Sequence, residues 1–198
     1  MTLQSWIYTG REEVADARIF KLLRETAISP RTGAERTFAH VESPTWVNMI
    51  PLTAGGDIVL VRQWRHGVKE FTLEVPGGLV DQDEEPSVAA AREVREETGY
   101  AGDPPLLIGT VQSNPAFMAN LTHTYLIENC HRIGELDQDE SEDLEVAVTP
   151  LVEIPRLVAG GAIRHSLVIC AFWWLAQRRP DLLRPAPGAR RVSPDLLW

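Results

Sequence analysis

The sequence predicts an α+β fold, with short strands and few helices layered on a shared core. Three observations predict it. Short β-prone apolar runs recur between Trp46 and Val148, separated by turn chemistry such as Ala54-Gly55-Gly56-Asp57. One Glu-rich helical segment, leading up to Gly99, interrupts them. A largely apolar helix, Ser166 to Arg178, follows the last strand and stops before Pro180. A length of 198 residues with 44% hydrophobic content suits one domain with a small extension.

Taken in order, residues 1–17 are mixed and give no clear element. Ile19 to Ser29 alternates weakly, Pro30-Arg31-Thr32-Gly33-Ala34 is a turn, and Arg36 to Val41 reads as the return strand. This N-terminal antiparallel hairpin or small sheet, residues 1–45, is marginal alone and needs a surface to lie on; a second subunit is one solution. The main domain, residues 46–180, begins with strands at Trp46 to Leu52, Ile58 to Trp64 and Glu70 to Val75. After the Glu-rich helix, strands are expected at Leu106 to Val111, Thr122 to Glu128 and Leu144 to Val148. Two helices follow, Leu151 to Ala159 and Ser166 to Arg178, and residues 181–198 form a Pro- and Arg-rich tail.

A net charge of −9 and a pI near 5.1 argue against non-specific binding to nucleic acid or anionic membranes. Cys130 and Cys170 have no partners at zinc-site spacing and read as free thiols in a reducing compartment. No basic segment followed by an apolar run opens the chain, and the longest apolar run, Leu167 to Ala176, is too short to span a bilayer. A cytoplasmic location is expected.

The chemistry concentrates between Gly78 and Tyr100. A Gly-rich turn, Pro76-Gly77-Gly78, leads through an acidic loop into a helix bearing Glu93, Glu96 and Glu97. Residues three and four apart share a helix face, so these carboxylates point the same way and repel. A hard divalent cation relieves that repulsion and bridges to substrate phosphates. The expectation is a metal-dependent enzyme acting on a phosphate or diphosphate. The helix should carry one wet anionic side, with Val94 and Ala91 packed into the core.

Gly78, Glu84, Arg92-Glu93-Val94, Glu96-Glu97 and Gly99-Tyr100 fill each fixed place of the pattern G-x5-E-x7-R-E-U-x-E-E-x-G-U, where U is bulky and apolar. The stretch thus resembles the Nudix box. That resemblance implies an α/β/α sandwich with a mixed central sheet. It implies metal binding by Glu93, Glu96, Glu97 and the Gly77 carbonyl, with Mg²⁺ the expected ion and Mn²⁺ the alternative. Glu97 and Glu93 are thereby placed in the catalytic machinery, Arg92 holds a box carboxylate, and Glu84 supports the loop.

The flanking residues resemble the ADP-ribose pyrophosphatase and nucleoside diphosphate sugar hydrolase subfamily. Gln63-Trp64-Arg65 is similar to its Q-F/Y-R segment, which assigns Arg65 to the diphosphate; Arg62 is the weaker candidate. Leu73 to Gly78 is similar to its E-φ-P-A-G segment, which places Glu74 at the substrate; Gly77 stands where alanine is usual. Pro115 lies near the subfamily's loop proline, and Phe38 sits where a base-stacking aromatic would be, with Phe20 and Trp46 as alternatives. Glu142-Asp143-Leu144-Glu145-Val146 resembles the segment that supplies the general base. Within the acidic run Asp137 to Asp143, Glu142 is the candidate and Glu140 the runner-up. Trp173, Trp174 and the histidines read as structural. A homodimer through the N-terminal sheet is implied. The expected activity is hydrolysis of a nucleoside diphosphate sugar such as ADP-ribose. The alternatives are a dinucleoside polyphosphate or damaged-nucleotide pyrophosphatase, and a non-catalytic ADP-ribose sensor.

Overall fold

The structure, a computed structural model, describes residues 2–137 and 143–183. It divides into two compact units, one of residues up to Thr45 with Gln112–Leu121, the other of Trp46–Val111 with the chain from Thr122 onward.

The first unit is a three-stranded antiparallel sheet, β1 (Ile7–Asp16), β2 (Lys21–Ile28) and β3 (Glu35–Glu42), with β2 in the middle. The expected hairpin is therefore β2–β3, and a further strand lies ahead of it. All ten residues of β1 are exposed, so its sequence shows no in–out alternation; backbone pairing to β2 holds it. The loop from Gln112 joins this unit through the Val41 N–H, which donates to the Phe117 carbonyl at 2.7 Å.

The second unit is built on a mixed sheet, ordered β11 (Leu144–Pro150), β5 (Asp57–Arg65), β4 (Trp46–Thr53), β10 (Leu121–Arg132) and β8 (Tyr100–Ala101). Strand β6 (Glu70–Glu74) adds to β5, β7 (Gly77–Leu79) to β4 and β9 (Leu106–Gln112) to β10. The β4–β10 pair is parallel and β4–β5 antiparallel, which makes the sheet mixed. Alternate residues of β4 enter separate cores. Val47 and Met49 pack with Ala89, Ala90 and Val94 of helix α1 (Pro86–Thr98). Ile50 and Leu52 pack with Ile154 of α2 (Ile154–Ala159) and with Val168, Ala171, Phe172 and Leu175 of α3 (Ser166–Arg178). Strand period two thus places α1 on one face and α3 on the other. The result is the α/β/α layering implied by the resemblance. Among the described residues no helix is long and apolar enough to cross a membrane, and both cysteines are free thiols.

Helix α1 starts at Pro86, where a missing N–H costs nothing, and ends at Gly99 in the left-handed region, φ 70°. A Cβ on Gly99 would lie 2.5 Å from the Gly134 carbonyl oxygen. It could not withdraw, because the Gly99 carbonyl is itself gripped by the Ile133 N–H at 2.8 Å. Gly99→Ala is therefore expected to lower unfolding free energy by about 2–4 kcal/mol. Urea denaturation checks this, and a loss under about 1 kcal/mol would mean that the helix end relaxes freely.

Candidate active site

Two stretches remote in sequence are pinned together at the Gly-rich segment. Residues 77–79 are strand β7, which pairs with the start of β4: Asn48 faces Gly77, and Val47 faces Gly78. The sequence shows this segment as a turn, and the strand arises from that tertiary pairing. The pairing also explains the glycine where alanine is usual. A Cβ on Gly77 would come within 2.7 Å of Asn48 Oδ1 and 2.8 Å of the Val47 carbonyl. The Gly77 N–H donates to Glu97 Oε2 at 2.9 Å, so the turn and the box helix are directly joined.

The box carboxylates differ from the expected wet face. Glu93 and Glu97 are 8% and 3% exposed, and they share the buried side of α1 with Ala89, Ala90, Val94 and Thr98. Ala91, expected in the core, faces solvent. The physical reason lies in their partners: the Gly77 N–H for Glu97, and Arg92 for Glu93. Arg92 Nε and Nη2 donate to Glu84 at 3.0 and 2.9 Å, and its Nη1 donates to Glu93 at 2.9 Å and Glu96 at 3.1 Å. Glu84 closes the acidic loop by accepting from the Asp81 N–H at 3.2 Å. The Arg92 contacts hold the Glu84 carboxyl below its ordinary range and raise the guanidinium in turn. Arg92 therefore gathers three acids, where the resemblance implied one.

Arg92 pairs with Glu84, Glu93 and Glu96, Arg95 lies 3.7 Å from Glu96, and Glu97 accepts from the Gly77 N–H, so four carboxylates face two guanidinium groups and the cluster keeps a negative excess. Among the described residues no three such side chains already stand at metal-ligand spacing. Each is turned onto Arg92 or, for Glu97, the Gly77 N–H. The donor set fits a hard divalent cation: oxygen ligands on one helix with charge to spare.

Arg65 and Glu74 form the second part of the site. Arg65 Nε and Nη2 donate to the two oxygens of Glu74, both at 2.8 Å. Thr72 Oγ1 adds a donor at 2.6 Å and His165 Nδ1 another at 2.9 Å. Burial alone would raise the Glu74 carboxyl; the bonds from Arg65, His165 and Thr72 outweigh it and hold the group far below the ordinary range. The Glu74 bond raises the Arg65 guanidinium, and the Glu97 charge adds to the effect. Arg65 thus lies within electrostatic reach of the box. Arg62, on the opposite strand face, packs 4.7 Å over the Phe71 ring.

His165 was legible in the sequence only as a structural histidine. No spacing could reveal it, since Glu74 lies 91 positions earlier. Phe38 and Pro115 belong to the first unit. Phe38 is 42% exposed and meets Trp6 edge-on at 5.2 Å. Pro115 follows Asn114, whose carbonyl accepts from Met118 at 2.8 Å. Glu142 and its runner-up Glu140 lie outside the described residues. The run that contains them departs from Asp137, whose N–H donates to the Glu96 carbonyl at 3.0 Å. It returns at Leu144, opposite Gln63 of β5.

An anionic helix that carries the fixed positions of the Nudix box and is hydrogen-bonded at Glu97 to the Gly-rich turn has the layout of a Nudix-type site. The NUDIX domain family matches residues 43–172, and the chain belongs to that family of hydrolases. The chain is 29% identical over 167 residues to an ADP-ribose pyrophosphatase of Bacillus subtilis, covering 84% of this chain and 90% of that one. It is 29% identical over 179 residues to an ADP-sugar pyrophosphatase of Mus musculus, covering 82% of each. The crystal structure of an ADP compounds hydrolase superposes with a TM-score of 0.79 at 21% identity, covering 89% of this chain and 95% of that one.

Proposed function

We propose that the chain hydrolyses the diphosphate of ADP-ribose or a related nucleoside diphosphate sugar, giving a nucleoside monophosphate and a sugar phosphate. The observation that carries this is a box helix whose Glu97 is hydrogen-bonded to the Gly-rich turn at Gly77, three residues after the Glu74 that clamps Arg65 through both carboxylate oxygens. The named activities of the relatives support the same substrate class.

Glu93, Glu96, Glu97 and the Gly77 carbonyl are the ligands for Mg²⁺, with Mn²⁺ as the alternative. When bound, such a cation neutralises the diphosphate and lowers the pKa of the attacking water. Arg65 uses Nε and Nη2 on Glu74, which leaves the Nη1 edge of its fork to receive a phosphate oxygen. Glu142 takes the proton of the attacking water, with Glu140 as runner-up. The ends of their segment, beside Glu96 and opposite Gln63, support that role. Exposed Ile7, Tyr8 and Phe38 of the N-terminal sheet, with Trp6 and Phe20 flanking its strands, support a homodimer formed through it, and free thiols support a cytoplasmic setting.

The test incubates the purified chain with ADP-ribose, ADP-glucose, GDP-mannose and a dinucleoside polyphosphate, in Mg²⁺, Mn²⁺ or EDTA, and identifies the products. AMP and ribose 5-phosphate from ADP-ribose, abolished by EDTA, are expected. The kcat/KM should exceed that for the dinucleoside by about tenfold or more. Preferred cleavage of the dinucleoside, or tight ADP-ribose binding without turnover, would replace this reading.

A further inference from the structure

The segment between α2 and α3 delivers two adjacent residues to opposite ends of β6. The Arg164 guanidinium pairs with Glu70, the first residue of that strand, and the His165 Nδ1–H donates to Glu74, the last. The β5–β6 register puts Arg65 opposite Glu70, while Glu74 stands opposite Val61. Paired residues share a sheet face, so Glu70 is the cross-strand carboxylate nearest to Arg65. Arg65 nevertheless runs along the sheet to Glu74, and Glu70 is taken by Arg164.

The Glu74 carboxylate is filled by this arrangement. Oε1 accepts from Arg65 Nε and Thr72 Oγ1, and Oε2 accepts from Arg65 Nη2 and His165 Nδ1. A carboxylate has about four acceptor sites, so each is used. At 2% exposure, water has little access to replace a missing donor.

Resting on the assignment of Arg65 to the diphosphate, we propose that His165 is a positioning residue for substrate binding. Its Nδ1–H fixes the plane of the Glu74 carboxylate, and that plane sets the direction in which Arg65 presents its remaining edge. His165 touches neither substrate nor metal ligand in this scheme. It acts through Glu74 on Arg65, so its loss should appear in KM and leave kcat nearly unchanged.

The test measures ADP-ribose turnover in Mg²⁺ for His165→Ala, His165→Asn, His165→Gln, Arg65→Ala and the Arg65→Ala/His165→Ala pair, with a thermal melt of each. His165→Ala should raise KM about 3- to 10-fold with kcat within about twofold. Asn places an amide N–H near the position of Nδ1 and should restore KM to within about twofold; Gln, which mimics Nε2, should not. In the Arg65→Ala background, His165→Ala should change KM by no more than about twofold. A wild-type KM in His165→Ala, a fall in kcat and melting temperature alone, or full additivity with Arg65→Ala overturns the inference while Arg65 keeps its role. An unchanged KM in Arg65→Ala, or no turnover of ADP-ribose by the unsubstituted chain, overturns the underlying assignment and this inference with it.

Discussion

Glu97→Gln is expected to lower kcat on ADP-ribose by about 10²- to 10³-fold with the fold preserved, a loss of the size seen when one charge-stabilising group is removed from an active site. The substitution is nearly isosteric. Its amide oxygen can still accept from the Gly77 N–H, the 2.9 Å bond that ties the Gly-rich turn to the box helix. What disappears is a full negative charge on a group only 3% exposed, inside the layer between helix and sheet. The charge is the part that a cation needs; the acceptor is the part that the fold needs. The variant should therefore melt within a few degrees of the unsubstituted chain, yet require more Mg²⁺ to reach a much lower plateau. Turnover across a Mg²⁺ titration, beside a circular dichroism melt, separates the two. A plateau within about fivefold of the unsubstituted chain would remove Glu97 from the metal site.

Much of the second unit could be read in the sequence because its elements are locally consistent. Trp46 to Leu52, Ile58 to Trp64 and Glu70 to Val75 are bounded by Gly and Asp turns, and the strands β4, β5 and β6 fall there. Helix α3 matches its expected bounds because Pro180 limits it and apolar residues fill it. Strand β1 escaped because its exposed residues carry no alternation, and β7 because three residues around two glycines acquire strand geometry only against β4.

The box illustrates a different limit. Spacing placed three carboxylates on one helix, where the structure has them, and called for a cation beside them. It assigned that face to water, because helix periodicity cannot show what stands opposite. The Gly77 N–H stands there for Glu97, and Arg92 folds back from the same helix onto Glu93; together they make the burial of the two carboxylates tolerable. Glu74 shows the same limit at longer range. The resemblance places Glu74 at the substrate, and in the structure its side chain is filled by Arg65, Thr72 and His165. Such contacts between distant residues are revealed only by the folded chain.

Gly78→Ala tests the geometry of the site without touching a ligand. A Cβ at Gly78 would fall on the Glu93 carboxylate. No positive φ is recorded at Gly78, so alanine meets no backbone strain there. The obstruction is the far end of a flexible side chain, and it can yield by rotating about its own χ angles. The stability cost should thus stay within about 1 kcal/mol, quite unlike that of Gly99→Ala, where backbone meets backbone. The catalytic cost should be large if Glu93 is the metal ligand proposed above, because an ångström of misplacement can cost about 10²-fold. The expected result is a fall in kcat of about 10²-fold or more, a weakened response to Mg²⁺, and an almost unchanged urea midpoint. The Arg92–Glu93 bond gives a second readout, since a rotated Glu93 loosens the guanidinium that also holds Glu84 and Glu96. Full activity in Gly78→Ala would show that Glu93 serves the reaction from some other position, and the close approach of glycine and carboxylate would then be packing alone.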